Sequence, residues 1–153
     1  MTLDRSFKTV MDSLGQLTEE ELCSTPVEGH WTVKDVIAHL WSWAEEAVQT
    51  ARAWRDRRPW QEGVVYDDAW NEHQVRERAA LPLITIVDGL TSAHRQMMHL
   101  LDVLSDDVLA AEAKAPWGEQ MSLVDFLYSM SEHYLEHAKP LQKYQKDCLE
   151  GCD

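Results

Sequence analysis

The sequence predicts an all-α protein, a four-helix bundle that forms a single domain over residues 1–153. Apolar residues recur at spacings of three and four along most of the chain, as they do on the buried face of a helix. Only six glycines and five prolines interrupt this spacing. A chain of this length can bury one hydrophobic core, so we expect helices joined by short loops.

The first half of the chain predicts two long helices. An apolar stripe indicates helix 1: Phe7, Val10, Met11, Leu14 and Leu17. Thr18 with Glu21 fits a capping box that opens a short helical turn, and Thr32 with Asp35 fits a looser version. The second of these begins helix 2, which runs from about Val33 toward Arg57 before the segment RRPWQEG ends it. Its inward face carries Val36, Ile37, Leu40, Trp41, Ala44 and Val48.

The second half predicts two more long helices after a loop from Pro59 to Asp68. The segment DAWNEHQVRERA reads as a polar helical stretch, and Pro82 interrupts the pattern after it. Helix 3 follows, with Leu83, Ile86, Val87, Leu90, Met97, Met98, Leu101 and Leu104. Ser122 and Asp125 repeat the cap pattern of Thr32 and Asp35. Helix 4 carries Leu123, Phe126, Leu127, Met130, Tyr134 and Leu141.

A weak internal repeat supports this division into two helix pairs. LGQLTEEEL followed by WTVKDVI resembles LDVLSDDVL followed by MSLVDFL, with a helix, a short capped turn, a loop and a capped helix in the same order. The similarity of all helix starts is the simpler explanation of the repeat. Two helix pairs nevertheless make a four-helix bundle the simplest architecture.

Charge and cysteine content narrow the classes of partner. The 27 aspartates and glutamates outnumber the 14 lysines and arginines, giving a net charge of −13, which disfavours nucleic acid and anionic membranes as partners. No apolar run approaches a membrane span, and the N-terminus lacks the apolar core of a secretory signal, so we expect a cytoplasmic protein. Cys23, Cys148 and Cys152 are expected to be reduced thiols, since their number is odd; their role stays open.

Three histidines form the candidate site. His133 and His137 stand four apart in SEHYLEHAKP, a spacing that lets two imidazoles on one helix converge on one ion. Two polar residues on a surface helix would give the same pattern. His39 lies at an inward or edge position of helix 2 and would complete three nitrogen ligands across the bundle, although a core histidine is the alternative. His30 and His73 are expected to be exposed.

Three histidines with an open fourth position are typical of a catalytic rather than a structural divalent ion. The glutamate in HYLEH does not follow the first histidine, so the pattern differs from the metalloprotease H-E-x-x-H. Counted from the helix starts, His39 lies about 10 Å deep and His133 about 16 Å deep, so the two helices must be offset for the site to close.

The segments GHWTVKDVIAHLWSW, DAWNEH and SEHYLEHA, in this order, resemble the DinB/YfiT-like family of four-helix bundles over nearly the whole chain. That family includes thiol-dependent maleylpyruvate isomerases and a colibactin self-resistance hydrolase branch. The resemblance implies a metal triad at His39, His133 and His137, often holding zinc or nickel. It also implies a pocket beside the triad, for which the candidates are Trp43, Trp70, Asn71 and Tyr134. HAKP departs from the family pattern and leaves the end of helix 4 open.

Three functions are compatible with these observations. The first is a metal-dependent enzyme, a thiol transferase, isomerase or hydrolase, that activates water or a low-molecular-weight thiol against a small electrophile. The second is a metal-independent protein that binds or sequesters a small molecule, as in self-resistance. The third is a bundle that forms a homodimer through an apolar helix face and leaves the histidines idle. The sequence names neither the substrate nor the catalytic residues.

Overall fold

The computed structural model describes residues 2–58 and 63–151 as a mostly helical fold with two short hairpins. The helices are α1 (Thr2–Asp12), α2 (Glu19–Ser24), α3 (Val33–Arg55), α4 (Asp68–Arg78), α5 (Leu83–Val103), α6 (Asp106–Ala110) and α7 (Leu123–Glu150). The strands are β1 (Pro26–Glu28), β2 (Trp31–Thr32), β3 (Glu112–Lys114) and β4 (Gln120–Ser122). Each strand pairs antiparallel with its neighbour, β1 with β2 and β3 with β4.

The four long helices α1, α3, α5 and α7 form the predicted bundle. Helix α3 packs against both α5 and α7, and α1 packs along α7. Each of the four contributes side chains that are almost fully removed from solvent, so the bundle has a single continuous core. Among these side chains are Leu3, Val10, Ile37, Leu40, Ile86, Leu90, Met97, Phe126, Leu127 and Leu141.

The predicted helix caps are present. Thr18 and Glu21 form a complete capping box at α2, and Thr32 and Asp35 form a second one at α3, in which the side chain of each residue accepts from the backbone N–H of the other. Ser122 accepts from the backbone N–H of Asp125 at the start of α7. These contacts satisfy backbone donors that lack intrahelical partners and define where α3 and α7 begin.

The internal repeat corresponds to a repeated structural unit. In the first half, α2 leads through the β1–β2 hairpin into α3; in the second half, α6 leads through the β3–β4 hairpin into α7. The hairpins were not predicted. Each strand has only two or three residues, too few for an alternating pattern to stand out from a loop.

Helix 1 ends earlier than predicted, and the structure defines the end of helix 4, which the sequence left open. Helix α1 ends at Asp12, so Leu14 and Leu17 lie beyond it, where Gln16 turns the chain with a positive φ of 68°. Helix α7 continues through Pro140 to Glu150, which settles the open end of helix 4. Because a proline has no backbone N–H, α7 lacks one intrahelical hydrogen bond at this position.

Residues 59–62, which belong to the predicted loop after helix 2, lie outside the described residues. Cys152 also lies outside them. Within the described residues, Cys23 and Cys148 form no disulfide, as expected for thiols. None of the helices in residues 2–58 and 63–151 combines the length and the apolar character that crossing a bilayer requires.

Candidate metal centre

The three predicted histidines come together where α3 crosses α7. His39 Nε2 lies 3.0 Å from His133 Nε2. The ring of His137 lies 4.7 Å from that of His39 and 4.7 Å from that of His133, measured between centroids. One potential ligand atom from each residue lies within 4.8 Å of the other two. The offset between the two helices that the sequence required is therefore present.

Glu28 is a fourth member of the site that the sequence did not predict. Both of its carboxylate oxygens lie 3.0 Å from His137 Nδ1. Because Nδ1 is engaged by a carboxylate, the tautomer with the proton on Nδ1 is favoured, and Nε2 retains its lone pair. The β1–β2 hairpin thus holds one of the imidazoles that α7 supplies.

Burial keeps the other two imidazoles uncharged. Burial lowers the pKa of His39 to about 2, with further lowering by the nearby His133 and His137. Burial also lowers the pKa of His133 to about 3, with a second contribution from His137. At neutral pH both rings are therefore neutral, which is the form of histidine that ligates a metal.

These residues fit a divalent ion. Two nitrogen ligands that bind a metal tetrahedrally, each at ~2.05 Å from the ion, lie about 3.3 Å from each other. The Nε2 atoms of His39 and His133 are 3.0 Å apart, which is close to this separation. The donor set is three imidazole nitrogens, which suits zinc or nickel better than magnesium or calcium. A separation of 3.0 Å is also an acceptable hydrogen-bond distance between two neutral imidazoles. The same arrangement of His39 and His133 is therefore compatible with a bound ion and with none.

A cavity of about 530 Å³ opens beside the three histidines. Four carboxylates line it, those of Glu28, Asp68, Glu132 and Glu136, and its described lining contains no lysine or arginine. Trp31, Trp43 and Trp117 supply aromatic surface. The cavity is therefore large enough for a small organic molecule, and its charge disfavours an anionic group next to the histidines.

The predicted pocket residues lie in three different places. Trp43 and Asn71 line the cavity, and Trp43 Nε1 donates to Asn71 Oδ1 at 2.9 Å, which ties α4 to α3. Trp70 stands behind them, its ring 5.0 Å from that of Trp43. Tyr134 is fully buried in the bundle core, where its ring packs near Phe7 and its hydroxyl lies 3.3 Å from His94 Nδ1. We therefore leave Tyr134 out of the candidate binding set.

The remaining histidines lie away from the site. His30 and His73 are exposed as expected, and they stand near Glu72 and Glu77 respectively. His94 is buried between α1 and α7, with Nε2 2.9 Å from Asp4 Oδ1, while His99 on the same helix is exposed. Five residues on an α-helix correspond to a rotation of about 140°, which is why His94 faces the inside and His99 the outside.

A helical bundle with three histidines converging beside an aromatic cavity defines a class of candidate metalloproteins. The chain belongs to the DinB superfamily, whose family model matches residues 2–139. Members of this superfamily often bind metal. The resemblance read from the sequence is thereby confirmed.

One solved structure shares the whole architecture. It is the crystal structure of an uncharacterised protein from Escherichia coli UTI89, with a TM-score of 0.81 and 16% sequence identity. The alignment covers 97% of this chain and 91% of that one. At this identity the likeness shows the fold alone. The search of curated proteins found no match.

Proposed function

We propose that the protein is a metal-dependent enzyme that activates water or a small thiol for attack on a small electrophile. The observation that carries the proposal is the convergence of the three imidazoles of His39, His133 and His137 at the wall of an open cavity. A divalent ion on three such ligands supplies Lewis-acid chemistry, because it lowers the pKa of a bound water or thiol toward neutrality. Zinc and nickel are the metals proposed.

The residues of the chain have distinct roles in this proposal. Glu28 accepts the Nδ1 proton of His137 and so directs Nε2 of that ring toward the shared site. Burial keeps His39 and His133 from taking up protons that would compete with a ligand role. The carboxylates of Glu132 and Glu136 line the cavity and can accept a proton from a nucleophile.

The cavity also indicates the class of substrate. Trp43 and Trp117 offer flat apolar surface, while four carboxylates line the same cavity as the histidines. We therefore expect a neutral or cationic electrophile with an apolar body, and a thiol without an acidic group near its sulfur. Transfer to a thiol, isomerisation and hydrolysis all begin with the same attack, so the site does not select among them.

A second candidate is a binding or sequestering protein that works without a metal. The 3.0 Å contact between His39 Nε2 and His133 Nε2 supports it, because two neutral rings can satisfy each other as donor and acceptor. Trp31 supports it too, since it lines the cavity and its solvent-shielded Nε1 has no hydrogen-bond partner in the described part of the chain.

One experiment separates the two candidates. Chelator-treated protein is reloaded with zinc or nickel and assayed with a panel of small electrophiles, with cysteamine, a thiol that has no carboxylate, or with water alone. The enzyme proposal predicts turnover that requires the metal and is lost in His133→Ala but retained in His73→Ala, an exposed control. Equal turnover before and after chelation contradicts it. Ligand binding without turnover, unchanged by chelation, supports the second candidate.

A further inference from the structure

A second cavity, of about 770 Å³, adjoins the cavity beside the three histidines. It is formed by the end of α3, by the segment from Gly63 to Tyr66 and by the β3–β4 hairpin. Tyr66 lines this cavity and contacts Trp43, which lines the other, with 5.5 Å between ring centroids. The two cavities therefore share an aromatic wall but have separate linings.

The two cavities carry opposite charge. Arg57, Arg58 and Lys114 line the second cavity, against the single carboxylate of Glu112 among its described lining residues. The carboxylate of Asp56 lies 3.8 Å from Arg58, whereas Arg57 and Lys114 have no ion-pair partner within residues 2–58 and 63–151. In a chain with a net charge of −13, three cations at one cavity create a local attraction for anions.

A buried polar group in the wall of the cavity also lacks a partner. Thr50 is 2% exposed and lines the cavity, yet its Oγ1 has no hydrogen-bond partner among the described residues. Buried hydroxyls are nearly always hydrogen-bonded, so an unpaired one beside a cavity indicates a place for a polar ligand atom. The indole of Trp54 adds an apolar surface in the same lining.

Arg57 occupies a backbone position that normally belongs to glycine. The backbone N–H of Arg58 donates to Ala53 O and that of Arg57 to Trp54 O, which is the Schellman pattern that ends α3. Arg57 is the left-handed residue of this motif, with φ 54°. A glycine would adopt this conformation without strain, so the fold itself does not require an arginine here.

We propose that the second cavity binds a small organic anion with a flat apolar body. Its acidic group contacts Arg57, Arg58 and Lys114, its body packs on Trp54, and one of its polar atoms pairs with the Thr50 hydroxyl. The proposal goes beyond the metal-dependent activity and does not depend on it, because none of the three histidines lines this cavity.

The test uses two dyes that differ only in charge. Anilinonaphthalene sulfonate carries a sulfonate, and phenylnaphthylamine has the same aromatic body without it. Fluorescence titration compares the wild type, the double variant Arg57→Gly/Lys114→Gln, and a control double variant, Arg5→Gln/Arg95→Gln, which removes two exposed cations elsewhere. We expect the Kd of the sulfonate to rise about tenfold in the first variant and to stay unchanged in the control. The Kd of the uncharged dye should not change.

Two further measurements separate a loss of sulfonate binding from unfolding of the protein and from loss of the metal. Arg57→Gly is expected to unfold at the same temperature as the wild type or higher, because glycine suits the left-handed position. His137→Ala should retain sulfonate binding even where it loses metal, so failure of the metal proposal would be seen separately. Equal losses of affinity in both double variants, equal affinity for the two dyes, or no sulfonate binding to the wild type would each overturn the proposal.

Discussion

Glu28 holds His137 across a separation of 109 residues, with both carboxylate oxygens 3.0 Å from Nδ1. Glu28 lies on strand β1 and His137 near the middle of α7. The contact joins the hairpin that precedes α3 to the helix that supplies two of the three imidazoles. Orientation of the candidate metal ligands therefore depends on a residue outside the bundle helices.

Replacement of Glu28 by glutamine should weaken metal binding without unfolding the protein. The Glu28→Gln variant keeps the size of the side chain but removes the negative charge that favours the Nδ1 proton of His137. We expect zinc affinity to fall by about 10- to 100-fold, the range found for such outer carboxylates. Competition with a chromogenic chelator measures this change.

Glu136→Gln is the matched control for this prediction. Glu136 lines the same cavity, so its replacement removes the same charge from the same region. An equal loss of zinc affinity in both variants would mean that Glu28 acts only through its general charge and does not orient His137.

His94 should make stability depend on pH. Burial lowers its pKa, and the hydrogen bond and charge of Asp4 offset only part of that effect; Tyr134 is its other polar neighbour. Below the ordinary value of 6.5, the unfolded chain takes up a proton at this ring more readily than the folded chain does. The free energy of unfolding should therefore fall as the pH drops below about 6.5, by up to about 1.4 kcal/mol per pH unit from this group.

Urea unfolding between about pH 7 and pH 5, on chelated protein, measures that slope. The His94→Gln variant is expected to show a shallower decline than the wild type. His99→Gln, an exposed replacement on the same helix, should keep the wild-type slope. Identical slopes in all three proteins would rule out a contribution from His94.

Replacing Gly89 by alanine should lower the free energy of unfolding, although alanine favours helix formation more than glycine does. A Cβ at this position would overlap ring atoms of Trp41, which is held by a hydrogen bond to Glu45 and by the Arg78 guanidinium 4.6 Å from its ring. Alanine is favoured over glycine in a helix by about 1 kcal/mol, but overpacking costs about 1–3 kcal/mol. We expect Gly89→Ala to destabilise the wild type in urea unfolding.

The same substitution should have the opposite sign when Trp41 is absent. In a Trp41→Ala background there is no indole to overlap, so Gly89→Ala should raise the free energy of unfolding by about 1 kcal/mol. A stabilising effect in the presence of Trp41 would show that α3 and α5 adjust to the extra methyl group.

Local sequence signals were sufficient to predict the helices and their starts. The apolar spacing predicted the four bundle helices, and the pairs Thr18 with Glu21 and Thr32 with Asp35 predicted where α2 and α3 begin. His133 and His137 could be paired from their spacing because both lie on one helix. These features depend on residues close in sequence, which periodicity and capping rules describe.

Features that depend on distant contacts could not be predicted in this way. Glu28 gives no signal in sequence, because its partner is contributed by a helix that follows about a hundred residues later. Tyr134 is next to His133 in sequence but faces the core, since neighbouring residues on a helix point in different directions. The second cavity depends on how the end of α3 meets the β3–β4 hairpin, which no local pattern encodes.

The most direct test of the metal centre is elemental analysis of the protein purified without chelators. Wild type, His137→Ala and the exposed control His73→Ala are compared, each before and after soaking with zinc. We predict near-stoichiometric zinc or nickel in the wild type and in His73→Ala, and loss of the metal in His137→Ala. Absence of metal from all three proteins after soaking would contradict this prediction.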